Sequence, residues 1–410
     1  MFCFVALAGM SAEPVVAEAP IHVLTHPIPD PLVSFDGQRI THSQEWLALR
    51  RPELLATFER EVYGITPEGG PRMEAEVWDD ALMADGKVRR KQVRLSFHSE
   101  YGTATAELLI YAPVHAAGPV PVFLGLNSGG NATIWRDPGV PATNEGSRGR
   151  HERRWPVTFV TEAGYAIATL CCDDFFPDKN LDSYVPSVQR LFPPQQRGPG
   201  PQQWGAIATW AWGLSRALDY LVTDAQFDSA QVAVIGHSRL GKAALWAGAR
   251  DPRFALVISN DSGCGGAALS KRIAGETVAR INERYPYWFC TNFLAYNGRE
   301  EDLPVDQHEL LALVAPRALA VGSAVDDSWA DPVGERQALE LAQPVFALFG
   351  VPGINEPTPA TQPRGLHYHL RPGSHDIILP DWEEYVRFAD QVFARTAVEP
   401  TPLSLSDHRN

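Results

Sequence analysis

Positive charge is scarce in this chain. Its 410 residues carry 35 Lys and Arg against 49 Asp and Glu, for a formal net charge of −14. Phosphate neutralisation needs a basic face, and no Lys/Arg-rich run exists, so nucleic acid is excluded as a partner. Long apolar stretches are missing as well: none reaches the roughly 18 residues of a membrane-spanning helix. No internal repeat is found, which excludes solenoids and propellers. Cysteine is sparse at five residues, with no C-x-x-C pair and no Cys/His cluster at zinc spacing. Neither a metal nor a cofactor is expected. His367 and His369 share one face of a strand-like run, but with no third ligand nearby they read as packing residues.

What is present is ordinary for a globular protein, with 45% hydrophobic and 20% charged residues, and the length allows one large core. The N-terminus resembles a secretory leader: Phe2 to Met10 is apolar, and Ala17-Glu18-Ala19 supplies a cleavage-like pattern. It lacks the usual leading positive charge, the first Lys or Arg being Arg39. The expected organisation is a leader over 1–20, one catalytic domain over 21–398 and a tail over 399–410. Export to a secreted or periplasmic location follows from the leader.

Periodicity predicts a helix over about Ser43 to Tyr63, with Trp46, Leu49, Leu54 and Phe58 on one face. Three strand-like runs follow, at Arg72–Trp78, Lys91–Phe97 and Thr103–Tyr111; the last two alternate in part, as a half-exposed antiparallel edge does. Short apolar runs then alternate with helices. The runs are Val120–Leu126, Tyr165–Leu170, Gln231–Ile235, Ala255–Ser259, Arg317–Gly322 and Leu366–Leu370. Buried strands separated by helices imply an α/β fold: a mostly parallel sheet with an antiparallel N-terminal edge and helices on both faces, the α/β-hydrolase order. The Pro-, Gly- and Gln-rich stretch Asp173–Gln203 reads as a long surface loop, as does Gly353–Arg364.

Between the run ending at Ile235 and the helix starting near Gly241 stands Gly236-His-Ser238-Arg239-Leu-Gly241. A serine between small residues at a strand–turn–helix junction is the setting of a nucleophile elbow, although the second glycine comes one position late. There the hydroxyl meets free helix N–H groups able to receive an oxyanion. Gly213-Leu-Ser215 resembles the motif but falls inside a helix, so Ser215 is set aside. Arg239 and Lys242 occupy the first helical turn, where the macrodipole disfavours cations by roughly 0.3–1 kcal/mol each. Cations there make sense if the pocket must hold negative charge.

α/β-Hydrolases order their partners Ser…Asp/Glu…His. His375 follows the last strand and precedes the last helix, where the base belongs. His237 adjoins the serine and is read as structural. Two carboxylates can serve as the acid: Asp327, after the run ending at Gly322, ranks first, and Asp261, after the run following the elbow, ranks second.

With these residues in view, the chain resembles the bacterial glucuronoyl esterases. The shared segments are Gly125-Leu-Asn-Ser-Gly-Gly-Asn131, Trp210-Ala-Trp-Gly-Leu-Ser-Arg, Gly236-His-Ser-Arg-Leu-Gly-Lys and Ser259-Asn-Asp-Ser-Gly-Cys-Gly-Gly, then Trp288-Phe-Cys, Val305-Asp-Gln-His, Trp329-Ala-Asp-Pro and His375-Asp. Ser128 and Ala132 depart from the pattern expected of that first loop. The resemblance implies hydrolysis of esters joining glucuronic acid side chains of glucuronoxylan to lignin alcohols, with no cofactor. It gives Ser238 as nucleophile, His375 as base and Arg239 as a side-chain oxyanion donor. It also implies that Lys242, Glu276 and Trp329 contact the sugar hydroxyls, and it leaves the acid open between Asp327 and Asp261. Alternatives are an acetyl-xylan or other short-acyl esterase, and a non-catalytic polysaccharide-binding relative, against which the intact Ser238 and His375 argue. In an exported protein a Cys264–Cys290 disulfide across the Glu276 segment is expected, two buried free thiols being the rival reading; the adjacent Cys171 and Cys172 are expected to stay reduced.

Overall fold

Every residue of Val120–Asn127 is buried, as only a strand covered on both faces can be. The computed structural model that shows this describes residues 26–357 and 364–394. The expected leader with Cys3, the tail 399–410 and part of the 353–364 loop lie outside the described residues.

Nine strands form one sheet in the order β1-β2-β3-β5-β4-β6-β7-β8-β9. The first three, β1 (Arg72–Met83), β2 (Val88–Ser99) and β3 (Gly102–Pro113), are antiparallel. The remaining six are mutually parallel: β4 (Val120–Asn127), β5 (Ala166–Cys171), β6 (Phe227–His237), β7 (Leu256–Asn260), β8 (Ala318–Ala324) and β9 (Leu366–Arg371). The expected antiparallel edge on a parallel sheet is therefore present. β1 is the exposed edge, and cross-strand charge pairs such as Asp80–Arg89 at 2.6 Å occupy its outer face, as edge strands commonly do.

Helices cover both faces. On one side, after the short α1 (Ser43–Glu45), which buries no residue, lie α2 (Arg51–Phe58), α4 (Ala206–Leu221), α5 (Arg239–Arg250), α7 (Gln307–Ala312) and α8 (Pro332–Ala347). On the other, α3 (Val157–Glu162) and α9 (Leu379–Val392) close a second core. A short α6 (Val278–Arg284), not foreseen from periodicity, brings Arg284 to a cavity that Ser238 also lines. The parallel strands are wound outward in opposite directions from the β4–β6 neighbourhood. Such a switch point opens a crevice at the carboxyl edge of the sheet.

Several expectations are corrected. The helix over 43–63 contains two π-helical turns, Trp46–Arg50 and Glu59–Tyr63. A π turn takes in one more residue than an α turn. Arg50 therefore faces inward to Glu309 at 2.6 Å, while Leu49 is exposed. The stretch 173–203 is no surface loop: Phe175, Phe176, Val188 and Phe192 are buried, and the Gln189 amide donates to the Trp204 carbonyl at 2.8 Å. Its prolines and glycines shape a string of 3₁₀ turns around aromatic anchors. The Cys264–Cys290 disulfide is absent; both thiols are free, as are Cys171 and Cys172. The Phe289 ring packs on Gly265, and the Tyr63 hydroxyl donates to the Gly265 carbonyl at 3.0 Å. Aromatic packing thus takes the space a cross-link would need, and the Cys290 thiol turns to the Arg60 carbonyl.

Candidate active site

β6 ends at His237 and α5 begins at Arg239, leaving Ser238 alone in the turn with φ 59° and ψ −129°. For a residue with a Cβ this region costs about 1–3 kcal/mol, so the surroundings must impose it. The Ser238 N–H donates to the Asn260 carbonyl at 2.9 Å, tying the turn to the end of β7. Gly236 permits the sharp return: a Cβ there would collide with the Leu240 carbonyl.

Asp327 and His375 arrive on the loops after β8 and β9. The Asp327 Oδ2 lies 2.5 Å from His375 Nδ1, with Asp327 buried and the imidazole 39% exposed. Burial raises the Asp327 carboxyl, but the His375 hydrogen bond, its charge and the Ala330 N–H outweigh this and hold it below the usual carboxylate range. The His375 loop is held from two sides. Arg371 meets Asp381 through Nε at 2.8 Å and donates to the Ser374 carbonyl at 3.0 Å. Arg154 lies 2.6 Å from Asp376.

Asp261 stands close by: its carboxylate, that of Asp327 and a His375 nitrogen all lie within 4.8 Å of one another. It makes no hydrogen bond to the imidazole. Its Oδ1 accepts from the Ala324 N–H at 2.8 Å and its Oδ2 faces Arg371 at 3.4 Å. Burial, reinforced by the negative charges of Glu335 and Asp327, pushes its carboxyl up to about 8.

His237 was read as structural, yet its ring centroid lies 4.6 Å from that of His375. Its Nδ1 is 2.7 Å from the Asn260 Oδ1, and the Asn260 amide donates to the Tyr385 hydroxyl at 3.0 Å. His367 and His369 face α9, 3.5 Å from Glu384 and 3.3 Å from Asp381.

Two cavities meet at Ser238, Arg239 and His375. One, of about 250 Å³, is lined by Lys242, Glu276, Tyr285, Trp288 and Trp329. The other, of about 260 Å³, is lined by Ser128, Arg154, Trp155, Ile377 and Trp382. In the first, Lys242 is buried, donates to the Ser262 carbonyl and lies 5.9 Å over the Trp288 ring. Burial lowers its ammonium pKa, with the Glu276 charge opposing. Gly275, at φ 64°, brings two loops together, since a Cβ there would strike the Trp329 carbonyl. The Glu276 N–H then donates to that carbonyl at 2.9 Å. Lys242, Glu276 and Trp329, chosen from sequence, thus share one pocket.

Arg239 borders both cavities, but its Nε lies 2.5 Å from Asp178 Oδ2. The N–H is not aimed along that line, so the contact is an ion pair without an aligned hydrogen bond. Asp178, Asn260 and Arg371 escaped the sequence reading, which took His237 as structural. Only Asn260, beside Asp261, carried a signal there.

A left-handed serine between strand and helix, lining the same cavities as a carboxylate-bound histidine at the carboxyl edge of a parallel sheet, places the molecule among the α/β-hydrolases. Comparison with known proteins narrows this. The family described as "Glucuronyl esterase, fungi" matches residues 199–350. Carbohydrate esterase MZ0003, from an unknown prokaryotic organism, is 44% identical over 88% of this chain and 89% of its own. The glucuronoyl esterase from Solibacter usitatus is 42% identical, with a TM-score of 0.82 over 90% of this chain and 99% of that one. A promiscuous CE15 esterase from the marine bacterial metagenome is 43% identical, with a TM-score of 0.81 over 89% of this chain and 97% of that one. The chain belongs to the glucuronoyl esterases of carbohydrate esterase family 15.

Proposed function

We propose that this protein hydrolyses carboxyl esters of glucuronic acid, with or without a 4-O-methyl group, where glucuronoxylan side chains are joined to lignin alcohols. The observation that carries the reading is the Asp327–His375 pair beside Ser238, opening onto a pocket with Lys242 and Glu276 buried in its wall. Ser238 Oγ attacks the ester carbonyl while His375 Nε2 takes its proton; Asp327 holds Nδ1 protonated and stabilises the imidazolium. The carbonyl oxygen becomes an oxyanion beside the Arg239 guanidinium and the N-terminus of α5. His375 then protonates the departing alcohol, and water, activated by the same imidazole, releases the uronate from Ser238.

Charge in this pocket suits ester hydrolysis, and its polar wall suits a sugar acid. The substrate ester is neutral, whereas the transition state and product are negative, so Arg239 and Lys242 gain most where turnover is decided. Glu276 offers an acceptor and Lys242 a donor to sugar hydroxyls, and the exposed Trp329 ring offers a face. Such a polymer is met outside the cell, in keeping with the leader-like residues 1–20. Among the described residues no helix is long and apolar enough to cross a membrane.

The test is hydrolysis of benzyl glucuronate beside an acetyl ester, for the parent and for Ser238→Ala. Preference for the uronate ester, lost in the variant, supports the reading; preference for the acetyl ester favours a short-acyl esterase. That second reading has one observation behind it, the promiscuity attributed to the marine metagenome relative.

A further inference from the structure

We infer that Asp178 is a positioning residue of the reaction, fixing the Arg239 guanidinium to the aromatic wall of the polar pocket. The inference rests on Arg239 serving the oxyanion.

Asp178 comes from the 173–203 stretch, remote in sequence from α5. Its carboxylate is fixed independently of the arginine. Oδ1 accepts from the Tyr287 hydroxyl at 2.9 Å and from the Trp288 indole N–H at 2.9 Å. Its own N–H donates to Asp173 Oδ1 at 3.0 Å, which pins the main chain. Trp288 in turn stacks on Tyr285, with centroids 3.7 Å apart and planes 2° apart. Oδ2 is left to face Arg239 Nε at 2.5 Å.

Arg239 needs such a partner. It stands in the first turn of α5, where the helix dipole repels a cation, and its long side chain has several rotamers to choose among. The ion pair meets the guanidinium at its inner nitrogen, and the residue borders both cavities. The same carboxylate holds Trp288, over which the Lys242 ammonium lies. Asp178 therefore couples the oxyanion donor to the wall of the sugar pocket.

The experiment is a double-mutant cycle on benzyl glucuronate. Asp178→Asn keeps an amide oxygen for Tyr287 and Trp288 but removes the charge facing Nε. Alone it should lower kcat about 10–30-fold with KM within about threefold, and in an Arg239→Ala background it should change kcat less than about twofold. An equal loss in both backgrounds, or a change confined to KM, overturns the inference while leaving the oxyanion reading intact. If Arg239→Ala leaves kcat unchanged, the oxyanion reading falls and takes the inference with it. Thermal unfolding of each variant confirms that folded protein is compared, and Asp178→Ser, which also removes the charge, replaces Asp178→Asn should the latter not fold.

Discussion

Exchanging Asp327 for asparagine removes the acceptor that lies 2.5 Å from His375 Nδ1. Asparagine can turn its amide N–H toward that nitrogen, which places the ring proton on Nε2, where it blocks proton uptake from Ser238. A wrong tautomer with intact geometry costs about 10³–10⁴ in kcat, or about 4–5.5 kcal/mol. Asp261→Asn is the matched control. Its remaining oxygen still accepts from the Ala324 N–H, and Arg371 keeps its contact with Asp381. It should stay within about threefold of the parent, and the double variant should match Asp327→Asn alone. The assay is kcat on benzyl glucuronate, with thermal unfolding as the folding control. Two mild single variants with a severe double would show that both carboxylates support His375. An Asp261 variant as damaged as the Asp327 variant would refute the assignment.

Other outcomes follow from the same site. Ser238→Ala should cost at least about 10³ in turnover; activity within about tenfold of the parent would place the nucleophile elsewhere. Arg239→Ala should lower kcat about 10²–10³-fold with little change in KM, whereas a pure KM effect would make it a substrate clamp. Glu335 is buried, and burial raises its carboxyl to about 7 against hydrogen bonds from Ser323, Gly263 and Ser262. Between its ordinary value of 4.5 and about 7 the folded protein keeps a proton that the unfolded chain releases, so this contribution to stability fades as pH rises. Glu335→Gln should therefore gain melting temperature relative to the parent from pH 5 to 8; a constant difference would contradict the shift. On denatured, unreduced protein, Cys171, Cys172, Cys264 and Cys290 should all react with a thiol reagent, and protection of Cys264 and Cys290 would restore the disulfide.

The sheet and the elbow were legible because local pattern determines them: apolar runs of strand length, then a serine among small residues before a helix. The choice between Asp327 and Asp261 was not. Both follow strands that end at the same crevice, and only the packing of the β8 and β9 loops decides which oxygen meets Nδ1. Asp178 was hidden because its neighbours Tyr287, Trp288 and Arg239 come from distant segments. Composition misled over 173–203, where prolines and glycines masked the anchoring by Phe175, Phe176 and Phe192. The helical spacing that set Leu49 beside Trp46 failed at a π turn that no periodicity announces. The cysteine pairing failed because spacing says nothing of where Phe289 points.

The contact between His237 and His375 has an electrostatic consequence. Burial and the neighbouring His375 charge lower the His237 pKa to about 3, against the pull of Asn260. In the proposed reaction, a proton taken by His375 therefore meets a neutral ring across the 4.6 Å between the two imidazoles. The elbow thus adds no cation to compete with the imidazolium. The His237–Asn260–Tyr385 chain holds that neutral ring in place.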